Sequence, residues 1–374
     1  MSRIAALFHT FCEPSLRPVA KLLDAMSDLE CHFFALRAHL DGWKGRRNIT
    51  FAYQETHDTA RHPVMLPAGR MRRAFWRHFA RYSFDLVVAP SGFDALSALP
   101  LTQFFRMKLA VFMGGVDVTY LFRPDSVDPR ARQYAARRRE LLGQVDLFIV
   151  PCPSVAELLL ECGCYRQRIA ILPGGIEVPP LPNGELKHSI PGILVVEPTP
   201  PVGGLEIAIS AFEMVRETLP AQLHILGSSQ LRQRLASWLA TTPHAQDVFV
   251  WTPDCAQEAW MKADIVVSCP VVSPGFFFDA QSTTILEAGA HALPVVATHH
   301  AGAADRVADG VTGWLVPERD VSAMADALAQ LLADENLRRE MGRAGHAKME
   351  LEFEISRAVS RLEGIFTSLL ANPQ

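Results

Sequence analysis

Apolar residues fall into short unbroken runs along the first half of the chain: Ile4–Phe8, His32–Leu36, Leu86–Ala89, Leu109–Met113, Leu147–Val150 and Ile169–Leu172. Runs this short, rich in branched side chains, predict strands covered on both faces. Segments of helical period separate most of them, at Val19–Met26, around 129–142 and at Ser154–Glu161. The rhythm stops at Glu177–Gly192, EVPPLPNGELKHSIPG, whose Pro and Gly content predicts a linker. It then restarts with strand-like runs at Ile193–Val196, Leu223–Leu226, Val248–Trp251, Ile265–Ser268, Val295–Thr298 and Trp314–Val316. Leu205, Ile209, Phe212 and Val215 mark one helical face. Met324, Leu328, Leu331 and Leu332 mark another, with Asp320 as its N-cap. Ile355, Val359, Leu362, Phe366 and Leu369 mark a final helix.

Alternating strands and helices on either side of one linker predict an α/β chain of two Rossmann-like domains in tandem. Ligands in such sheets bind beyond the carboxyl ends of the strands, so both halves are expected to face one ligand. No G-x-G-x-x-G follows the first strand, which removes most support for a nicotinamide cofactor. The 374 residues suit two domains, and 49% hydrophobic with 20% charged residues suits a large core. A net charge of −4 without a long basic run argues against nucleic acid as a partner. The opening MSRIAALFHTFCEPS lacks a signal-peptide pattern, and no stretch reaches the roughly 18 apolar residues of a membrane span. A cytoplasmic location is expected. The seven cysteines are scattered, with Cys162 and Cys164 the one close pair, so reduced thiols are expected and no metal site.

The stretch Ser273–Thr298, SPGFFFDAQSTTILEAGAHALPVVAT, carries the candidate chemistry. Ser282 is expected to cap a helix that opens with Thr283 and Thr284 and ends near His291. The amides at that start, with the helix dipole, suit a phosphate. Glu287, further along the helix, suits ribose hydroxyls. Asp279, in the loop before it, suits sugar hydroxyls. An ordinary capped helix with a surface acid fits the same spacing.

The segment resembles the donor-site signature of GT-B glycosyltransferases of family 4: two acids eight positions apart, an LEA-type helix, then LPVVAT. Gly302, Asp309-Gly310, Thr312-Gly313 and Leu315-Val316-Pro317 resemble the family's next run, and Leu172–Glu177 resembles its strand-to-linker motif. The resemblance implies transfer of a sugar from a nucleotide diphosphate donor, with retention and without a metal or other cofactor. It implies an acceptor domain at 1–180, a donor domain at 181–352 and a C-terminal helix, 353–374, packing back on the first. The acceptor would be a polysaccharide or glycolipid at the inner face of a membrane.

Three positions depart from the family pattern. The stretch 197–204, EPTPPVGG, has Pro198 and Gly203 where the family has an Arg and a Lys for the donor diphosphate. Loss of two charged hydrogen bonds costs about 3–6 kcal/mol unless other groups compensate. Gly203 and Gly204 still open a helix, and Arg17, His299 and His300 are candidate substitutes. Gly114 stands where the family has a His near the transferred sugar, while Asp117 remains to hold acceptor or sugar hydroxyls. Asp279 replaces the usual first Glu. A degenerate GT-B protein that binds a ligand or partner without transfer is therefore the alternative function. Arg70–Arg81, RMRRAFWRHFAR, spaces its arginines as one helical face and is a candidate membrane contact, or simply a solvated face. Trp251, at the end of a strand, suits a nucleobase or a core position. His9, read as following the first strand, suits an acceptor contact or a structural role.

Overall fold

A computed structural model describes residues 2–11, 17–38, 49–51, 79–122, 129–181, 188–197, 204–271, 282–300 and 302–371. The chain divides into two compact units, Met1–Gly175 with Ile355–Gln374, and Ile176–Glu354.

The first unit holds a parallel sheet of β1 (Arg3–Phe11), β2 (Glu30–Ala38), β3 (Ile49–Phe51), β4 (Leu86–Ala89), β5 (Lys108–Phe112), β6 (Leu147–Val150) and β7 (Ile169–Ile171). Among the described residues the strand order is β3-β2-β1-β4-β5-β6-β7. β4 and β6 are buried at every position, as strands covered on both faces must be. β1 is longer than expected, because Thr10 and Phe11 favour strand and find register partners in Arg37 and Ala38. His9 thus lies inside β1 rather than after it. The helix expected around 129–142 is two, Pro129–Ala136 and Arg138–Gln144. It breaks at Arg137, whose amide bonds Tyr134 O three residues back. The helices Arg17–Ala25 and Ile355–Ala371 share one core, in which Leu22 and Leu23 meet Val359, Leu362 and Phe366. Glu363 ties the last helix down by accepting the amides of Ser27 at 2.7 Å and Asp28 at 2.8 Å.

The second unit holds β8 (Gly192–Val196), β9 (Gln222–Leu226), β10 (Val248–Trp251), β11 (Ile265–Ser268), β12 (Val295–Thr298) and β13 (Gly313–Val316), in the order β10-β9-β8-β11-β12-β13. The helices Leu205–Arg216 and Val321–Ala333 cover one face through Phe212, Val215, Met324 and Leu328. Asp320 caps the latter, accepting the Ala323 amide at 2.9 Å. Leu194, Val266, Ile285 and Ala288 fill the other face.

The unit boundaries fall at Gly175/Ile176 and Glu354/Ile355, so 176–180 joins the second unit. The cause is pairing with a distant segment: the Ile176 amide donates to Phe353 O at 2.8 Å, and Ile176 bridges to Glu354. Both sheets reverse direction of growth once, between β1 and β4 and between β8 and β11. No helix among the described residues is long and apolar enough to cross a membrane.

Candidate functional site

The reversal between β8 and β11 fixes where the second unit would hold a ligand, beyond the carboxyl ends of those strands. The helix Leu205–Arg216 starts there at Gly204, with φ 122° and ψ −15°. A Cβ on Gly204 would stand 1.8 Å from Cys269 O, so only glycine permits the helix start to lie against the end of β11. The Cys269 thiol donates to Gly204 O at 3.1 Å, and burial pushes its pKa up to about 12, so it stays protonated. The Gly204 amide donates to Glu206 Oε2 at 3.3 Å, so one amide of this helix start already meets an acid. Gly203 and Pro198 lie outside the described residues.

A second helix, Thr283–Ala290, starts in the segment after β11. Ser282 occupies the N-cap position, but with left-handed φ 40° and ψ 48° and no side-chain capping bond to the helix. Thr283 is exposed and Thr284 half-buried. The first amides of any helix lack partners within it, and the dipole there favours an anion. Ile285, Leu286 and Ala288 turn into the core, which leaves Glu287 exposed on the opposite side. Gly289 lets the helix approach its neighbours closely: a Cβ there would meet Met349 Cγ at 2.5 Å.

Glu287 opens onto a depression of about 360 Å³ lined also by Glu177, Pro179, Ala290 and His291. One wall, 176–179, is pinned at both ends. Ile176 bonds Phe353 as above, and His346 Nε2 donates to Pro179 O at 2.8 Å. His291 lies flat on Trp260, with ring centres 5.2 Å apart and an angle of 16°. Desolvation holds its pKa below the usual imidazole value. Two carboxylates beside an uncharged imidazole accept hydrogen bonds from hydroxyls and repel phosphate. Sequence reasoning does not single out Glu177 or His291; Glu177's place at the end of the 172–177 motif was the available signal.

In the first unit, Asp117 is buried and faces backbone rather than open space. It accepts the amides of Gly92 at 2.9 Å, Gly115 at 3.0 Å and Val118 at 2.9 Å, tying together the loops that follow β4 and β5. Burial raises its pKa, and those amides oppose the rise. Gly114 has no room for the imidazole the family carries there, since a Cβ would lie 2.7 Å from Pro151 Cγ. His9 is in β1, with its side chain outside the described set, as is that of Arg17.

Trp251 is half-buried, and its indole N–H donates to His224 Nδ1 at 3.1 Å. It sits on β10, two strands from β8, and packs toward the core that holds Leu194 and Val266. His300 is buried against Glu318 at 2.7 Å, whereas His299 is exposed after β12. Asp279 and residues 70–78 lie outside the described residues. Phe79, at the end of the basic segment, is buried among Phe34, Phe84 and Phe105.

Two Rossmann-like units, each reversing once, define a GT-B protein. Two family models match: "Glycosyl transferase 4-like domain" over residues 17–175 and "Glycosyl transferases group 1" over residues 191–334. The chain belongs to the GT-B glycosyltransferases of the group 1 type. It is 27% identical over 263 residues to a putative colanic acid biosynthesis glycosyltransferase, WcaL, of Escherichia coli K12, covering 67% of this chain and 63% of WcaL. It is 28% identical over 218 residues to the amylovoran biosynthesis glycosyltransferase AmsK of Erwinia amylovora, covering 56% of this chain and 53% of AmsK. It thus spans less than two thirds of the length of either relative. Among solved structures, HepE of Anabaena in complex with UDP and glucose aligns with a TM-score of 0.75 at 13% identity, over 98% of this chain and 100% of HepE, a likeness of fold.

Proposed function

We propose that this chain transfers a sugar from a nucleoside-diphosphate donor to a hydroxyl of a polysaccharide or glycolipid acceptor. The single observation that carries the reading is the exposed Glu287. It stands on the helix that follows β11, beside the strand-order reversal, and opens on a depression that favours hydroxyls. In this reading Glu287 accepts bonds from the donor's ribose, and the helix starts at Gly204 and Thr283 lie toward the phosphates. The donor's sugar–phosphate bond breaks with its electron pair leaving on the diphosphate, the acceptor oxygen bonds the anomeric carbon in its place, and the hydroxyl proton passes to the departing phosphate oxygen. Family membership supports retention of configuration, transfer without a metal, a donor role for the second unit and an acceptor role for the first. The relatives' polysaccharide pathways support an acceptor at the inner face of a membrane, reached from the cytoplasm. The test is turnover of UDP-, GDP- and ADP-sugars by the wild type and by Glu287→Ala. Turnover lost in the variant supports the reading; equal turnover overturns the role of Glu287.

A second reading, ligand binding without transfer, is favoured by the helix start at Gly204. There the Gly204 amide already meets Glu206, and Pro198 and Gly203 supply no cation. Nucleotide binding without turnover of any sugar donor would select it.

A further inference from the structure

Glu197 follows the last residue of β8, at the edge of the strand-order reversal. Its side chain is 6% exposed, and both carboxylate oxygens meet polar partners. Oε2 accepts the Ser228 amide at 3.0 Å, and Oε1 is held by Arg234 Nη1. Gly227 makes this geometry possible, since a Cβ there would stand 2.4 Å from Glu197 Oε2. A carboxylate this covered requires a charged partner, and Arg234 meets that need while remaining 52% exposed itself. A guanidinium has five N–H donors in a planar fork. The bond to Glu197 uses Nη1, and among the described residues the Arg234 side chain makes no other bond while standing beside the ends of β8 and β9. Arg234 comes from the segment after β9, the strand next to β8, whereas Arg319 follows β13, three strands from β8. His300 is buried against Glu318, Arg306 is buried with Nη1 on Gly302 O, and His299 follows β12, two strands from β8.

We propose that Arg234, aimed by Glu197, supplies the positive charge that meets the donor diphosphate. The inference rests on the nucleotide-sugar reading and names a group that the sequence motifs do not. Arg234 comes from the segment after β9, not from the 197–204 stretch.

The test is calorimetric titration of the full chain with UDP, GDP and ADP and with the matching nucleosides. Arg234→Gln is expected to weaken the diphosphate that binds by about 10- to 100-fold and to leave its nucleoside within twofold. Arg234→Lys keeps the charge without the fork and is expected to fall between. Arg232→Gln, on the same short helix without a bond to Glu197, is the control and is expected to match the wild type. Diphosphate binding by Arg234→Gln within twofold of the wild type overturns the inference alone. Equal losses of diphosphate and nucleoside also overturn it, because they mark a structural role. A wild type that binds none of the three diphosphates overturns both the inference and the reading beneath it.

Discussion

Gly204→Ala probes the join between the helix start at Leu205 and the end of β11. At φ 122° an L side chain carries about 1–3 kcal/mol of backbone strain. The new Cβ would also stand 1.8 Å from Cys269 O, well inside the 3.0 Å that such atoms keep. The obstacle is a backbone carbonyl and cannot rotate aside, so the helix start or the strand end must move by about 1 Å. Overpacking of this kind adds about 1–3 kcal/mol. The two effects give about 2–6 kcal/mol, or a fall in melting temperature of roughly 5–20 °C for a unit of this size. Scanning calorimetry with a parallel UDP titration measures both consequences. Gly143→Ala, where a Cβ meets nothing within 4 Å, is the matched control. A fall of less than about 2 °C with unchanged nucleotide affinity would show that the helix start does not lean on β11.

Asp117→Ala strips the acceptor from three backbone amides and is expected to lower the stability of the first unit by about 3 kcal/mol, with nucleotide affinity unchanged. An unchanged melting curve with lost transfer would make Asp117 a substrate contact instead. His224 is buried, and desolvation, helped by His188 and Lys262, lowers its pKa from 6.5 to about 4. Between those values the unfolded chain binds a proton that the folded chain refuses, so stability rises with pH through the window and is flat above it. The loss at pH 5 relative to pH 7.5 is on the order of 2 kcal/mol, and His224→Gln is expected to remove it; parallel stability curves for variant and wild type would contradict this. Transfer is expected to proceed at the same rate in excess EDTA, and a loss restored by Mg²⁺ or Mn²⁺ would refute metal independence.

The architecture is legible because most strands are short apolar runs and several helices show their period, as the fully buried LVVA and LFIV strands and the Val359–Leu362–Phe366 face illustrate, whereas β3 and the helix Gly92–Phe105, apolar all round, carry no such signal. The Asp320 cap is legible for the same local reason. The features that escape the sequence depend on distant partners. Residues 176–180 side with the second unit because Ile176 pairs with Phe353, which no local pattern encodes. β1 runs on past Phe8 because β2 offers a register for it. Glu287 is legible from its motif, but its company is not, since Glu177 reaches the same depression from more than a hundred positions away. Ser282 looks like a capping serine by type, yet with a left-handed backbone its side chain makes no capping bond to the helix. Arg234 is one of many surface arginines until Glu197 is seen to hold it.

The most direct measurement is calorimetric titration of the wild type and Glu287→Ala with UDP, GDP and ADP. Micromolar binding of one diphosphate by the wild type, weakened at least about 10-fold in the variant, is the expected result. Wild-type binding that survives unchanged in Glu287→Ala, or no binding of any of the three, would contradict a nucleotide-sugar site on this helix.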